Sequence, residues 1–291
     1  MKSTGMTATG VATMGPRRFL PDALKSTPYY VLTGSAAIIF LFPLLWAAFA
    51  SVNGTPGSAQ GEGFGPGNYQ TLYSWQDGLP TYFLNSTLIS CATVVFTLAV
   101  SLLGGYAFAK FDFPFRNTIF MVTLAILMVP VATMLIPLLV LLKFLGLQNS
   151  LLGLSLVMSM FQLPFATFMM RVSMEGVPKE LEEAAQVDGC GTFGVFRRII
   201  LPSVVPGIVT VALFAFLAAW NDFITPLILI TGPKQQPLAL AITTMREQSI
   251  GVIDYGSLEA GVVVMALPCL ILFYALQGQY VRGFMSGAIK G

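Results

Sequence analysis

The chain has 291 residues, of which 55% are hydrophobic and only 10% charged, and its mean hydropathy is +0.78. A soluble domain carries roughly a quarter of its residues charged, so composition excludes a water-exposed fold and predicts an all-α polytopic membrane protein. A net charge of +2 without a basic patch gives nucleic acid no footprint, and the absence of histidine removes the commonest metal ligand. Cys91, Cys190 and Cys269 are scattered, without metal-like or disulfide spacing, and read as small hydrophobes or inert thiols.

Apolar runs of ~20 residues match a hydrocarbon core of ~30 Å at 1.5 Å per helical residue. They predict six spans, at 29–51, 83–109, 117–142, 150–171, 204–230 and 258–280. The transmembrane domain is thus 29–282, between an N-terminal tail at 1–28 and a C-terminal tail at 283–291. The first span imitates a secretory signal, with Arg17, Arg18 and Lys25 before it and Ala48-Phe49-Ala50 after it. Its apolar run exceeds a signal core of about 7–15 residues and five spans follow, so it is read as a retained anchor in contact with membrane lipid. Of the fifteen Lys and Arg residues, twelve fall on the side of the termini; only Lys143, Lys234 and Arg246 fall on the other. The excess marks the cytoplasmic side, which predicts both termini inside.

Residues 52–82 and 231–257 are then extracytoplasmic. The stretch 53–68 is glycine-rich and expected to be flexible. Tyr69, Leu72, Tyr73 and Trp75 after it suit either an interfacial aromatic belt or a surface that meets a partner. Pro130 and Pro137 fall seven apart on one face of the third span, and Pro164, Pro226 and Pro268 interrupt others. Each removes a backbone donor and frees the carbonyl four residues earlier, which persists where neighbouring helices or a wet cavity satisfy it.

The cytoplasmic segment 172–203 is far longer than the 2–8 residues that usually join two helices. Pro178 suits the first helical position, and Glu180, Glu182 and Glu183 suit the positive N-terminal end. Val177, Leu181, Ala184, Ala185 and Val187 supply an apolar surface, and Gly189 and Gly191 stop the helix. Phe193, Val195, Phe196, Ile199 and Ile200 begin a second amphipathic piece, which Pro202 should stop. A hairpin lying on the membrane surface would be rich in Lys and Arg. The acidic first helix, with small residues at 184 and 185, instead predicts a knob that docks in a protein groove.

Glu183-Ala184-Ala185, Gly189 and Ile199-Ile200-Leu201-Pro202 resemble the EAA loop of ABC-importer permeases. The fuller string EAAQVDGCGTFGVFRRIILPSVVPG is similar to the carbohydrate branch, specifically the smaller permease of maltose-type systems. Cys190 departs from the alanine usual there. The resemblance covers nearly the whole chain beyond its first ~25 residues: Asn68-Tyr69, Asn85-Ser86, Tyr106 to Phe111 with Phe113, Ala219-Trp220-Asn221-Asp222-Phe223 and the terminal GFMSGAIKG resemble family positions. It implies a six-helix type I permease in the bacterial inner membrane, paired with a second permease, an ATPase dimer and an extracytoplasmic solute-binding protein. It implies that Glu183, Ala184, Ala185, Asp188, Gly189, Leu201 and Pro202 form the coupling element, whose glutamate meets a basic group on the ATPase. The tail 283–291 would reach between the ATPases, and 231–257 would reach into the binding protein.

Residue chemistry agrees that energy enters from outside. A Walker A loop places Gly before its Lys, and none of the seven lysines follows glycine. ATP and Mg are therefore expected on a partner ATPase, and the chain is expected not to be an enzyme.

Asp222 is the one acid well inside a predicted span, where charge is costly and usually functional. With Trp220, Asn221 and, more weakly, Gln162, it is a candidate lining of a sugar pathway; the alternative is a static cap on a neighbouring helix or subunit. The expected solute is a di- or oligosaccharide, with glycerol phosphate or another polyol as the alternative. A secondary transporter would show intramembrane ion sites or inverted repeats, and a cofactor-bearing membrane enzyme would show His, paired carboxylates or clustered Cys.

Overall fold

The computed structural model describes residues 22–54, 63–248 and 254–288. The chain divides into two compact units, Met1–Trp46 and Ala47–Gly291. The described part of the first is helical: α1 (Asp22–Val52) fills it and ends six residues into the second. Along α1, Ile38, Ile39 and Phe40 stand outward, Phe40 at 82% exposure. Water penalises such a surface, whereas hydrocarbon does not.

In the second unit, the predicted flexible stretch is tied at its ends. β1 (Asn53–Gly54) pairs antiparallel with β2 (Gly63–Phe64), Asn53 opposite Phe64, the only strand pairing among the described residues. α2 (Gly67–Ser74) follows, and it divides the aromatic cluster between inward and outward positions. Leu72 is buried with Met245 and Ala260, Tyr69 and Trp75 pack against that group, and the Tyr69 hydroxyl lies 2.9 Å from Ser51 Oγ. Tyr73 faces outward.

α3 (Leu79–Lys110) and α6 (Leu151–Glu175) form the central pair. The buried face of α3 reads Ser86, Ser90, Thr93, Thr97, Ser101 and Gly105, at helical spacings of three and four. Small residues let two backbones approach where both neighbours are apolar. Ser155 of α6 donates to the Ile89 carbonyl at 3.4 Å. A Cβ on Gly105 would lie 2.5 Å from Met170 Cβ, so only glycine fits.

The third predicted span is not one helix. α4 (Arg116–Ala125) tightens into a 3₁₀ turn at Ile126–Met128, and α5 (Val131–Phe144) leaves at 102° to it. Pro130 disfavours a helical conformation at Val129, which is extended with ψ 124°. Pro130 is thus the cap of α5 and Pro137 an interior residue, rather than two positions on one uninterrupted face.

The fifth span is also divided. After α7 (Lys179–Val187), α8 (Thr192–Val195) passes through a π turn at Phe196–Ile200 into α9 (Leu201–Ser203), and α10 (Val205–Asn221) leaves this piece at 75°. α10 stops at Asn221, Asp222 is extended, and α11 (Ile224–Leu229) begins anew. Pro226 cannot donate to the Asp222 carbonyl, which weakens the helix at that point and favours a break. Beyond it, the predicted polar loop 231–257 contains a 3₁₀ turn at Pro233–Gln235 and α12 (Leu238–Gln248), whose Leu238, Ala239, Leu240 and Ala241 are buried. α13 (Tyr255–Ala288) completes the chain and carries Pro268 inside it. Among the described residues, four helices are long and apolar enough to cross a membrane, and up to six if each bent pair forms one span.

Candidate functional site

α7 and the α8–α9 piece form a compact hairpin at one end of the α3–α6 pair. Pro178 stands at the cap of α7 rather than at its first turn, with ψ 137°. Glu180 and Glu182 occupy the first turn, where the helix dipole favours them. At the other end Gly189 has φ +83°. The Cys190 amide donates to the Ala185 carbonyl at 2.9 Å and the Gly189 amide to the Gln186 carbonyl at 3.0 Å. These are the paired bonds of a Schellman stop, which needs a left-handed residue and so favours glycine.

The nine residues of α7 divide sharply between two faces. Val177 just before it and Ala185 are buried with Met170, Met174, Val195, Phe196 and Ile200. Glu183, Ala184, Asp188 and Gly189 are exposed, as are Leu181 and Val187, the last at 88%. The two alanines read from the sequence as one docking surface therefore part company. Ala185 lets α7 approach its own protein, and Ala184 lies among outward acids and apolars.

Pro202 does not end the second piece as expected. The π turn closes with the Leu201 amide donating to the Phe196 carbonyl, and α9 continues to Ser203. The wider turn falls immediately before the residue that lacks a donor, so the helix passes through it. Leu201 packs against the buried cluster, and Pro202 is exposed. The turn after α7, at Asp188 and Cys190, and the piece that follows, at Phe193, Arg197 and Arg198, line an open cleft of about 340 Å³.

Lys110 ties this hairpin to the transmembrane helices. Its ammonium donates to the Val177 carbonyl at 3.0 Å and forms an ion pair with Glu182, the two side chains being 8% and 12% exposed. Breaking a buried pair strands the remaining charge, at a typical cost of about 3–5 kcal/mol. Sequence reading placed Lys110 in the orientation count and in the resemblance at 106–111, and Glu182 at the positive end of the helix dipole, without pairing the two. A lysine that ends an apolar helix gives no local sign of a partner 72 positions away.

The second candidate group is only partly assembled. Trp220 is 1% exposed, donates to the Met265 carbonyl at 2.9 Å, stacks on Phe216 and meets Phe83 edge-on. Asn221 is exposed and donates back to the Leu217 carbonyl. Asp222 is half-buried, and its Oδ1 accepts from the Thr225 amide at 3.2 Å, so it caps α11. Gln162 is half-buried in the middle of α6. Its neighbour Phe161 packs in one cluster with Ala219, which precedes Trp220.

An exposed acidic hairpin, pinned at the end of a bundle of apolar helices, suits a membrane subunit driven by another protein. Residues 101–285 match the family described as binding-protein-dependent transport system inner membrane component. The chain belongs to that family. It is therefore an inner-membrane, multi-pass permease, the non-catalytic transmembrane component of an ABC importer whose ATPase is a separate subunit. This permease is 31% identical to a probable ABC transporter permease of Bacillus subtilis, over 92% of this chain and 90% of that protein. It is 35% identical to a diacetylchitobiose uptake system permease of Streptomyces coelicolor, over 72% of this chain and 76% of that one. Among solved structures it resembles a chain of a bacterial ABC transporter involved in the import of the acidic polysaccharide alginate. There the TM-score is 0.73 at 18% identity, covering 91% of this permease and 99% of that chain. That likeness is one of fold, down to the all-helical, polytopic architecture.

Proposed function

We propose that this permease carries a di- or oligosaccharide inward across the bacterial cytoplasmic membrane, as one half of a permease heterodimer with both termini cytoplasmic. ATP and Mg are bound by a partner ATPase dimer, and an extracytoplasmic binding protein delivers the solute. The observation that carries this reading is the division of α7 into a face fixed to its own helices and a face bearing Glu183, Ala184 and Asp188 outward. An element so held moves as a solid piece when its exposed face is displaced. Glu183 and Asp188 offer charge to a basic cleft on the ATPase, Ala184 lets that surface come close, and Gly189, Leu201 and Pro202 shape the hairpin behind it. The diacetylchitobiose relative supports a carbohydrate solute.

Asn221, Asp222 and Gln162 are proposed to face the solute, with Trp220 bracing the break between α10 and α11 that presents them. Most of 283–291 continues α13, and 289–291 lie outside the described residues; the proposed reach of this tail between the ATPases is built on that helix.

Glu183→Ala tests the coupling role in the assembled transporter. Membrane insertion is expected to persist, with stimulation of ATP hydrolysis by the loaded binding protein lost. Normal solute uptake by that variant would overturn the assignment. The solute is tested by a binding screen on the partner extracytoplasmic protein: sugar binding supports the carbohydrate reading, and exclusive binding of glycerol phosphate or another polyol replaces it.

A further inference from the structure

α3 is fastened at both of its ends to segments that belong to opposite faces of the proposed importer. At one end Lys110 grips the coupling hairpin, through the Val177 carbonyl and Glu182. At the other, buried Asn85 donates from Nδ2 to the carbonyls of Lys234 at 2.8 Å and Gln236 at 2.9 Å. Ser86 Oγ beside it accepts from the Leu238 amide at 2.8 Å. Asn149, between α5 and α6, holds the start of the same segment by accepting from the amides of Thr231 and Gly232. Backbone groups of this loop are therefore bound by side chains of α3 and of the turn before α6, and α12 grows directly out of it.

Between these fastenings α3 is one unbroken helix, and its Gly104-Gly105 pair is braced by contact with α6 at Thr167 and Met170. From Asn85 to Lys110 it spans about 37 Å at 1.5 Å per residue. Its one proline, Pro80, stands at the start of the helix, whereas α5, α6 and α13 all carry an interior proline. Two other routes out of the coupling hairpin are covalent: back into α6, which carries Pro164 inside it, and through α9 into α10, which is interrupted at 203–205 and 221–224. Interior prolines and breaks absorb displacement by bending, and an uninterrupted helix passes it on.

We propose that Lys110 and Asn85 are positioning residues that make α3 a rod, carrying displacement of the coupling hairpin to the extracytoplasmic segment Thr231–Leu238. Release of the solute would then be timed from the ATPase side by a single rigid element. This rests on the coupling role of α7 proposed above. Neither residue needs to touch solute or nucleotide; each acts through the backbone that it holds.

The test uses the whole transporter in proteoliposomes, with Cys91, Cys190 and Cys269 replaced by serine. Thr231→Cys then supplies an exposed thiol while leaving the backbone amide that Asn149 holds. A membrane-impermeant maleimide added outside reports its accessibility without nucleotide and after trapping with ATP and vanadate. The parent's labelling rate is expected to change at least about threefold between the two states, within the usual range for coupled sites. Lys110→Gln and Asn85→Ala should each lose that change. Lys110→Arg, which keeps charge and donors, should retain it; a role in packing alone would not be rescued in this way. A full change in Lys110→Gln would show that motion travels through the covalent routes, α6 or α9 and α10, and would overturn the proposal, as would a parent that shows none. Where Lys110→Gln does not assemble, Asn85→Ala, remote from the hairpin, decides: a retained change overturns the rod, and a lost change with trapping intact supports it. Glu183→Ala in the same background separates the two readings. If it also shows the full change, the coupling role of α7 falls; if it loses the change while Lys110→Gln keeps it, only the rod falls.

Discussion

Gly189 sits at φ +83°, a conformation that costs an L-residue about 1–2 kcal/mol. Gly191, two residues on, has φ −70° and open space where a Cβ would be. Gly189→Ala is therefore expected to loosen the turn and reduce stimulated ATP hydrolysis, while Gly191→Ala leaves it unchanged; equal behaviour of the two variants would remove the special role of the turn. Asp222 can be separated into its two functions at the same scale. Asparagine keeps an oxygen for the Thr225 amide but loses the charge. Asp222→Asn should thus preserve the fold and alter solute uptake or preference, and an unaltered transporter would leave Asp222 as a cap alone. Trp220→Ala removes a side chain enclosed by Phe83, Phe216 and Val264. Loss of a buried aromatic typically costs about 3–5 kcal/mol, so the detergent-solubilised complex should melt at a clearly lower temperature.

At the scale of elements, the close seam between α3 and α6 has the sharpest requirement. Adding a Cβ at Gly105 meets Met170 Cβ at 2.5 Å and the Arg171 amide at 3.0 Å, both atoms fixed within a helix. Gly105→Val is expected to force the helices apart and lower the yield of assembled transporter. Gly104→Ala, whose added carbon would rest 3.6 Å from Thr167, should be tolerated. The apolar runs made most of these helices legible, because a stretch of ~20 apolar residues has few alternatives in a bilayer. The breaks were less legible. A proline announces that a hydrogen bond is missing, but the angle at Val129 or Asp222 depends on what the two halves pack against afterwards. α12 escaped notice for a related reason: Leu238 to Ala241 are buried consecutively, so the helical stripe of Leu238, Ala241 and Met245 is blurred by buried neighbours on other faces.

For the whole molecule, the charge asymmetry makes a topological prediction. Among single-cysteine variants, Tyr73→Cys should react with an impermeant reagent on intact cells, whereas Val187→Cys should react only after permeabilisation. The reverse pattern would invert the orientation, and with it the side on which the coupling hairpin meets its partner. Both positions are exposed, so the outcome reports sidedness rather than burial.

By itself the sequence determined the solvent in which this chain folds, the number of apolar runs and the EAA element from Glu183 to Pro202. Each of these is written in contiguous residues: the membrane is read from composition, and the bounds of α7 from its acidic first turn and its glycine stop. Only the tertiary structure decided which face of α7 is held and which is free, that Trp220 is enclosed while Asn221 is open, and that Lys110 and Asn85 bind segments distant in the chain. Those facts arise from packing between residues as far apart as 85 and 236, where the pairing is set by how helices meet and no local pattern records it.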